Sequence, residues 1–258
     1  VSLKLITSRD NAAYQEVLAL AGDRRARRRA AKTLLDGPHL MEAALEAKVA
    51  LKRLVFSESA ATGPLAEWNR RLGEVPAMVL PDRLFAALSP VDSPVGLLAV
   101  IDIPAPAAGR MDCVVLLENI QDPGNLGALL RVAAASGVAA VHLSTGCAEA
   151  WSPKCLRGSQ GAHFLLGIHE GVDLPAFARR YPGKIHAASP GAAVSLFELD
   201  FQGPMGFAFG NEGAGLSQAL LAEARPFSIP MPGRVESLNV ATAAAVCLFE
   251  RVRQLRAR

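Results

Sequence analysis

Between Phe227 and Phe249 the chain reads FSIPMPGRVESLNVATAAAVCLF, and no other stretch constrains the fold as much. A short apolar run, Phe227-Ser228-Ile229, is stopped by Pro230. A turn with Pro232 and Gly233 follows, then a polar group (Glu236, Ser237, Asn239), then an alanine-rich helical pattern. Proline and glycine punctuate strand, loop and helix, and Ser237 or Asn239 stands where a helix cap belongs. The expected helix, Val240 to about Arg253, is small and apolar almost all round until Glu250. Such a helix is buried or packs closely against a partner. These residues alone admit two readings: an ordinary strand–loop–helix unit of an α/β protein, or a loop that holds a ligand.

A length of 258 residues suffices for one large or two medium domains with real cores. The hydrophobic share of 51% is ordinary for a soluble globular protein. A net charge of +3 is mild, so its distribution says more than its sum. Six of the nine residues from Arg24 to Lys32 are basic: Arg24, Arg25, Arg27, Arg28, Arg29 and Lys32. That cluster is either a solvated helical face or a footprint for a nucleic-acid backbone, where Arg and Lys release counterions. Cys113, Cys147, Cys155 and Cys247 are scattered, without a CxxC pair or a His at ligand spacing. They suggest neither a disulfide framework nor a metal site, and fit a reducing cytoplasm. No leader peptide opens the sequence and no apolar run reaches membrane-spanning length, so a cytoplasmic protein is expected.

In the first hundred residues a helix starts at Ser8–Asn11 and runs to about Ala21; the basic cluster follows. Leu34–Leu40 reads as a turn leading into a helix over 41–47, with His39 structural in role. Strands are expected at 51–57, 76–80 and 96–103, and helices at 64–72 and 82–88. This is a small α/β unit, residues 1–103. The proline- and alanine-rich segment 104–110 breaks every periodicity and marks a linker. No internal repeat is visible.

The second domain, 111–258, opens with Cys113–Leu117, a continuous apolar run of the kind found in strands buried on both faces. A polar turn, Glu118 to Asn125, leads into a helix from Leu126 to about Ser136. Leu126, Leu129, Leu130 and Ala133 form its buried stripe. Arg131 lies off that stripe, framed by Ala128 and Ala135, just beyond the carboxyl edge of a strand, where open α/β sheets place ligand chemistry. Further strands are expected at 139–143, 163–168, 184–188 and 206–209, and helices near 153–158 and 174–181. The strand 206–209 runs into Gly210-Asn211-Glu212-Gly213-Ala214-Gly215, whose glycines permit a tight turn and a close backbone approach. This is neither the dinucleotide fingerprint nor a phosphate loop.

Three polar turns after three strands now stand in order: DPGNLGALLR (122–131), FGNEGAGL (209–216) and IPMPGRVESLNVATA (229–243). Together they resemble the three signature motifs of the SpoU (TrmH-type) branch of the SPOUT RNA methyltransferases. WSPKCLRGSQGAHF (151–164) is similar to that family's intervening segment. The first hundred residues resemble, more loosely, its small α/β substrate-binding domain. Asn211, Asp36 and Gln15 depart from the residues common at those places.

The resemblance implies an α/β fold: a SPOUT-type parallel sheet whose C-terminal segment forms a trefoil knot, an exception to unknotted topology, plus the small N-terminal α/β domain. It implies transfer of a methyl group from S-adenosylmethionine to a ribose 2′-hydroxyl in RNA, ribosomal (23S-type) before transfer RNA. It places Arg131 beside that hydroxyl, with Asn125, Glu212, Ser237 and Asn239 around it, and the cofactor on Gly210, Ile229 and Leu238. It implies a homodimer through the C-terminal domain, no metal and no membrane. Arg24, Arg25, Arg27, Arg28, Arg29 and Lys32 are the expected RNA contacts. A guanidinium stays protonated in proteins, so Arg131 is expected to steady the developing alkoxide and align a phosphate, with Asn125 and Glu212 fixing Arg131 and the loops. The rivals are a silent RNA-binding assembly factor, which the intact site residues argue against, and a Rossmann-type methyltransferase, which lacks support from any glycine-rich turn after the strand at 113–117.

Overall fold

In chain order the computed structural model, which describes residues 3–89, 91, 93–106 and 111–256, begins with β1 (Lys4–Leu5), α1 (Ala12–Gly22), α2 (Arg24–Ala30) and β2 (Lys32–Asp36). Then come α3 (Pro38–Glu46), β3 (Leu51–Ser57), α4 (Glu58–Ala61), α5 (Ala66–Arg71), β4 (Ala77–Leu80), α6 (Asp82–Ala86) and β5 (Leu97–Asp102). The second half carries β6 (Cys113–Leu117), α7 (Pro123–Ala135), β7 (Ala140–Leu143), α8 (Pro153–Ser159) and β8 (Gly167–Glu170). It ends with α9 (Leu174–Arg180), β9 (Lys184–Ala188), β10 (Met205–Phe209), α10 (Gln218–Leu221), β11 (Arg225–Phe227) and α11 (Val240–Arg256). Two compact units result, one reaching to Ala105 and including Trp151–Phe164, the other from Pro106 to Ala150 and from Leu165 onward. Of the expected linker, 104–106 have no regular structure and 107–110 lie outside the described residues.

The first unit is a mixed sheet in the order β1-β4-β3-β5-β2, with β5 antiparallel to both neighbours. Its core joins Tyr14, Val17 and Leu20 of α1 to Leu34, Val55, Leu98 and Phe85. The sequence pattern misplaces β2, which was expected as part of a turn. Only Thr33, Leu34, Leu35 and Asp36 separate a cationic run from Gly37-Pro38, too few residues to show a period of two; pairing with the distant β5 makes them a strand. The segment Trp151–Phe164, expected with the second domain, packs with this unit: Thr33 Oγ1 donates to Trp151 O at 2.6 Å. Arg157 Nη1 lies 3.4 Å from Asp36 Oδ2, which also accepts from Ser89 Oγ at 2.9 Å. Burial of Asp36 raises its carboxyl pKa.

The second unit is an all-parallel sheet in the order β11-β9-β10-β6-β7-β8. Its central strands β6 and β10 are buried along their whole length, as continuous apolar runs require. The strand expected at 163–168 starts late. Ala162–Leu165 form a 3-10 turn in which His163 is buried with its Nδ1 2.6 Å from Ser159 Oγ, so β8 begins only at Gly167. On α7, Leu126, Leu129, Leu130 and Ala133 are buried as their spacing dictates. Trimming one such leucine to alanine costs about 2–5 kcal/mol.

Candidate active site

Three turns meet beyond the carboxyl ends of β6, β10 and β11. After β6, Asp122 caps α7, its Oδ1 accepting from Asn125 N at 2.7 Å. Pro123 takes the first helical position, where a missing N–H loses nothing. Asn125, in that first turn, then reaches two ways with one amide. Its Nδ2 donates to Glu212 Oε1 at 2.5 Å, and its Oδ1 accepts from Asn239 Nδ2 at 3.0 Å. Asn239 is itself the cap of α11: its Oδ1 accepts from Ala241 N at 2.9 Å and Thr242 N at 3.4 Å. A single side chain therefore ties the turn after β6 to the other two.

The turn after β10 closes on itself. Gly215 N donates to Asn211 O at 2.8 Å, and Asn211 Oδ1 accepts from Gly213 N and Ala214 N at 2.9 and 3.0 Å. A Cβ on Gly210 would stand 2.3 Å from the Gly215 carbonyl, so any larger residue opens the turn. Beside it lies a cavity of about 440 Å³, a size that takes a drug-sized ligand. Its walls are the backbone of 210–216 and the apolar side chains of Ile229, Met231, Leu238 and Val240, with Glu212, Ser237 and Ser189 as polar groups. Gly210, Ile229 and Leu238 thus line one space.

Arg131 stands apart. It is exposed and makes no hydrogen bond or ion pair among the described residues. Six residues beyond Asn125, it lies about 9 Å further along α7 and on another face. The expected fixing of Arg131 by Asn125 and Glu212 is therefore not formed; those two residues fix the turns to each other. Sequence reasoning missed Ala188-Ser189-Pro190, which also line the cavity. Their signal was a small–polar–proline step at the end of a strand, but only the sheet order brings β9 between β10 and β11.

The basic cluster divides. Arg24, Arg25, Arg28 and Arg29 are exposed. Arg27 is buried, its Nη1 donating to Leu20 O at 2.7 Å and Ala21 O at 3.2 Å, and this corrects the expectation that it faces RNA. It satisfies carbonyls that the end of α1 leaves open. Lys32 Nζ lies 3.3 Å from Glu16, which also accepts from Arg53 at 2.6 Å. Those two cations, Arg53 first, hold the Glu16 carboxyl below its usual range.

A parallel sheet whose strand ends carry a glycine turn, an interlocked Asn–Glu–Asn group and an amphiphilic cavity defines a ligand-binding α/β enzyme of the kind that signature turns identify. The chain matches the SpoU rRNA Methylase family over residues 112–249 and the MRM3-like substrate binding domain over residues 14–99; it belongs to the SpoU rRNA methylase family. It is 34% identical to an uncharacterized tRNA/rRNA methyltransferase of Synechocystis, over 96% of this chain and 93% of that one. It is 30% identical to the 23S rRNA (guanosine(2553)-2′-O)-methyltransferase RlmP of Bacillus subtilis, over 84% of this chain and 86% of that one. Among solved structures, the SpoU methyltransferase AviRb of Streptomyces viridochromogenes in complex with AdoMet superposes with a TM-score of 0.83 at 28% identity. That match covers 96% of this chain and 100% of the other.

Proposed function

We propose that this protein transfers the methyl group of S-adenosylmethionine to a ribose 2′-hydroxyl of 23S-type ribosomal RNA. The observation that carries the reading is the bond chain Glu212–Asn125–Asn239, which joins the three signature turns beside the cavity. The residues present suit the cofactor. Apolar Ile229, Met231 and Leu238 offer a wall for a purine, backbone groups of 210–216 offer donors and acceptors, and Gly210 keeps the floor clear. When bound, the cofactor supplies a methyl on a positively charged sulfur, which needs only an aligned nucleophile. Alignment is the task of this chain's own residues. Arg131, which has no partner among the described residues, is available in a dimer whose sites borrow from the partner subunit to bind a backbone phosphate and steady the alkoxide as the hydroxyl loses its proton to solvent or a phosphate oxygen. Ser237, exposed at the mouth of the cavity, suits a ribose or phosphate oxygen. Asn125, Glu212 and Asn239 hold the walls in register.

For RNA, the exposed Arg24, Arg25, Arg28 and Arg29 supply a phosphate-binding face on the first unit. A homodimer through α11 is part of the same reading. Thr242, Phe249 and Arg253 fall on one exposed stripe, with Phe249 left 47% exposed. We further infer the C-terminal trefoil knot, in keeping with α11 packing back on α7 and with Gln254 bonding to Leu199 O and Phe201 N. The test is transfer of labelled methyl from S-adenosylmethionine to unmodified total RNA, fractionated afterwards, with nuclease mapping of the product. Label as 2′-O-methyl in one ribosomal fragment is expected. Label in transfer RNA would overturn the choice of substrate, and label on a base would overturn the chemistry.

A further inference from the structure

Both ends of the turn 210–217 are held by one dipeptide, Glu118-Asn119, that lies outside the expected site. Glu118, the first residue past β6, is buried, and its carboxylate accepts two hydrogen bonds from a single residue. Ser217 N donates to Oε2 at 2.7 Å and Ser217 Oγ to Oε1 at 2.8 Å. Glu118 N donates in turn to Phe209 O at 3.0 Å, the last residue before Gly210. Asn119 turns the backbone with a φ of +57°, and its carbonyl accepts from Asn211 Nδ2 at 3.1 Å. Its own N–H donates to Ser144 Oγ at 3.0 Å, which anchors the dipeptide to the end of β7. Phe209 and Asn211 line the cavity and Ser217 directly follows its wall residue Leu216; all three are tied to this one step of chain.

We propose that Glu118 is a positioning residue for the cofactor: through Ser217 it holds the turn 210–217 in the shape that receives S-adenosylmethionine, and so sets cofactor affinity without touching the reacting atoms. This rests on the function proposed above. The residue type follows from the donors. An ionised carboxylate is acceptor-only, and Ser217 presents it with two donors. The Ser217 hydroxyl already accepts from Leu220 N at 3.2 Å, which leaves its proton for Glu118. A glutamine would set an N–H₂ group against one of the two donors; an aspartate keeps both acceptors on a shorter arm.

Calorimetric titration of the full chain with S-adenosylmethionine, followed by kinetics on unmodified ribosomal RNA, tests this. Glu118→Gln is expected to weaken cofactor binding and raise the cofactor KM about tenfold, with the RNA KM and the kcat at saturating cofactor within about twofold of wild type. Glu118→Asp should recover most of the affinity. Ser217→Ala, which keeps the backbone donor, should weaken binding less, and should add little in the double variant because both changes break one contact. Wild-type affinity in Glu118→Gln overturns the proposal. So does a loss of kcat with both KM values unchanged, the pattern of a smaller folded fraction. A wild-type protein that binds S-adenosylmethionine but methylates no RNA sinks the substrate reading alone, and the titrations still decide on Glu118. A wild-type protein that binds none sinks both.

Discussion

Asn125 uses both halves of its amide inside the protein, donating to Glu212 and accepting from Asn239, so the part proposed for it in catalysis is to keep two turns at a fixed separation. Asn125→Asp would replace the donor facing Glu212 with a second acidic oxygen. Two carboxylates at hydrogen-bond distance cannot both stay ionised and bonded. We expect kcat/KM to fall on the order of 10²-fold, about 3 kcal/mol, and a variant within twofold of wild type in a methyl-transfer assay would remove Asn125 from the site. Arg131 has the opposite character, a cation with no partner among the described residues. If its planar fork is what grips phosphate and alkoxide, Arg131→Lys should lower kcat by at least about tenfold, and near-normal turnover would show that charge alone suffices. The resemblance singled out Asn125, Glu212 and Asn239, one in each signature turn, and the structure bonds the three together. Glu118 carried no such mark, since one carboxylate in a polar turn gives no sign of its partner 99 positions later.

Short strands bounded by clear breaks were the most readable, and Leu51–Ser57, Cys113–Leu117 and Lys184–Ala188 form strands over the residues expected. Elements defined by distant pairing were not, as β2 shows. Within the basic cluster, a helical face was one of two readings, and neither showed the packing that turns Arg27 inward, because side-chain direction depends on where α1 ends. The two kinds of arginine should separate by experiment. Arg27→Ala leaves two carbonyls of α1 without their charged donor, and we expect a loss of about 2 kcal/mol in urea unfolding. Arg28→Ala should leave stability within about 0.5 kcal/mol while lowering RNA affinity and reducing its dependence on log salt by about one unit. The reverse pattern would mean that the face is misassigned. On α11, Phe249→Glu places a charge in the middle of the exposed stripe. If the proposed dimer uses this stripe, sedimentation should report dimers of the parent protein and monomers of the variant; an unchanged mass would place the interface elsewhere.

At the scale of the whole molecule, two histidines buried in the second unit make stability depend on pH. His186 is packed among Phe201, Phe207 and Phe227, and neither ring nitrogen has a hydrogen-bond partner among the described residues. His142 lies between His169 and Phe177, with its Nε2 likewise unpaired. Burial is the main reason that both pKa values fall to about 4, helped by the charge of His169 at His142 and of Arg225 and Lys184 at His186. An unfolded chain takes up these protons near the ordinary value of 6.5, whereas the folded one resists until about pH 4. Stability is therefore complete above pH 6.5, declines as the pH drops from there to 4, and levels off below. The loss is about 3 kcal/mol for each histidine if the unfolded values are unperturbed. His186→Leu keeps an apolar group of similar size in the aromatic pocket and removes one titrating site. It should match or exceed the parent protein at pH 5 and lose about half of the pH 5 to pH 7.5 difference in unfolding free energy that the two histidines create. An unaltered difference would mean that His186 is already protonated in the fold, and that the phenylalanines around it enclose a charge.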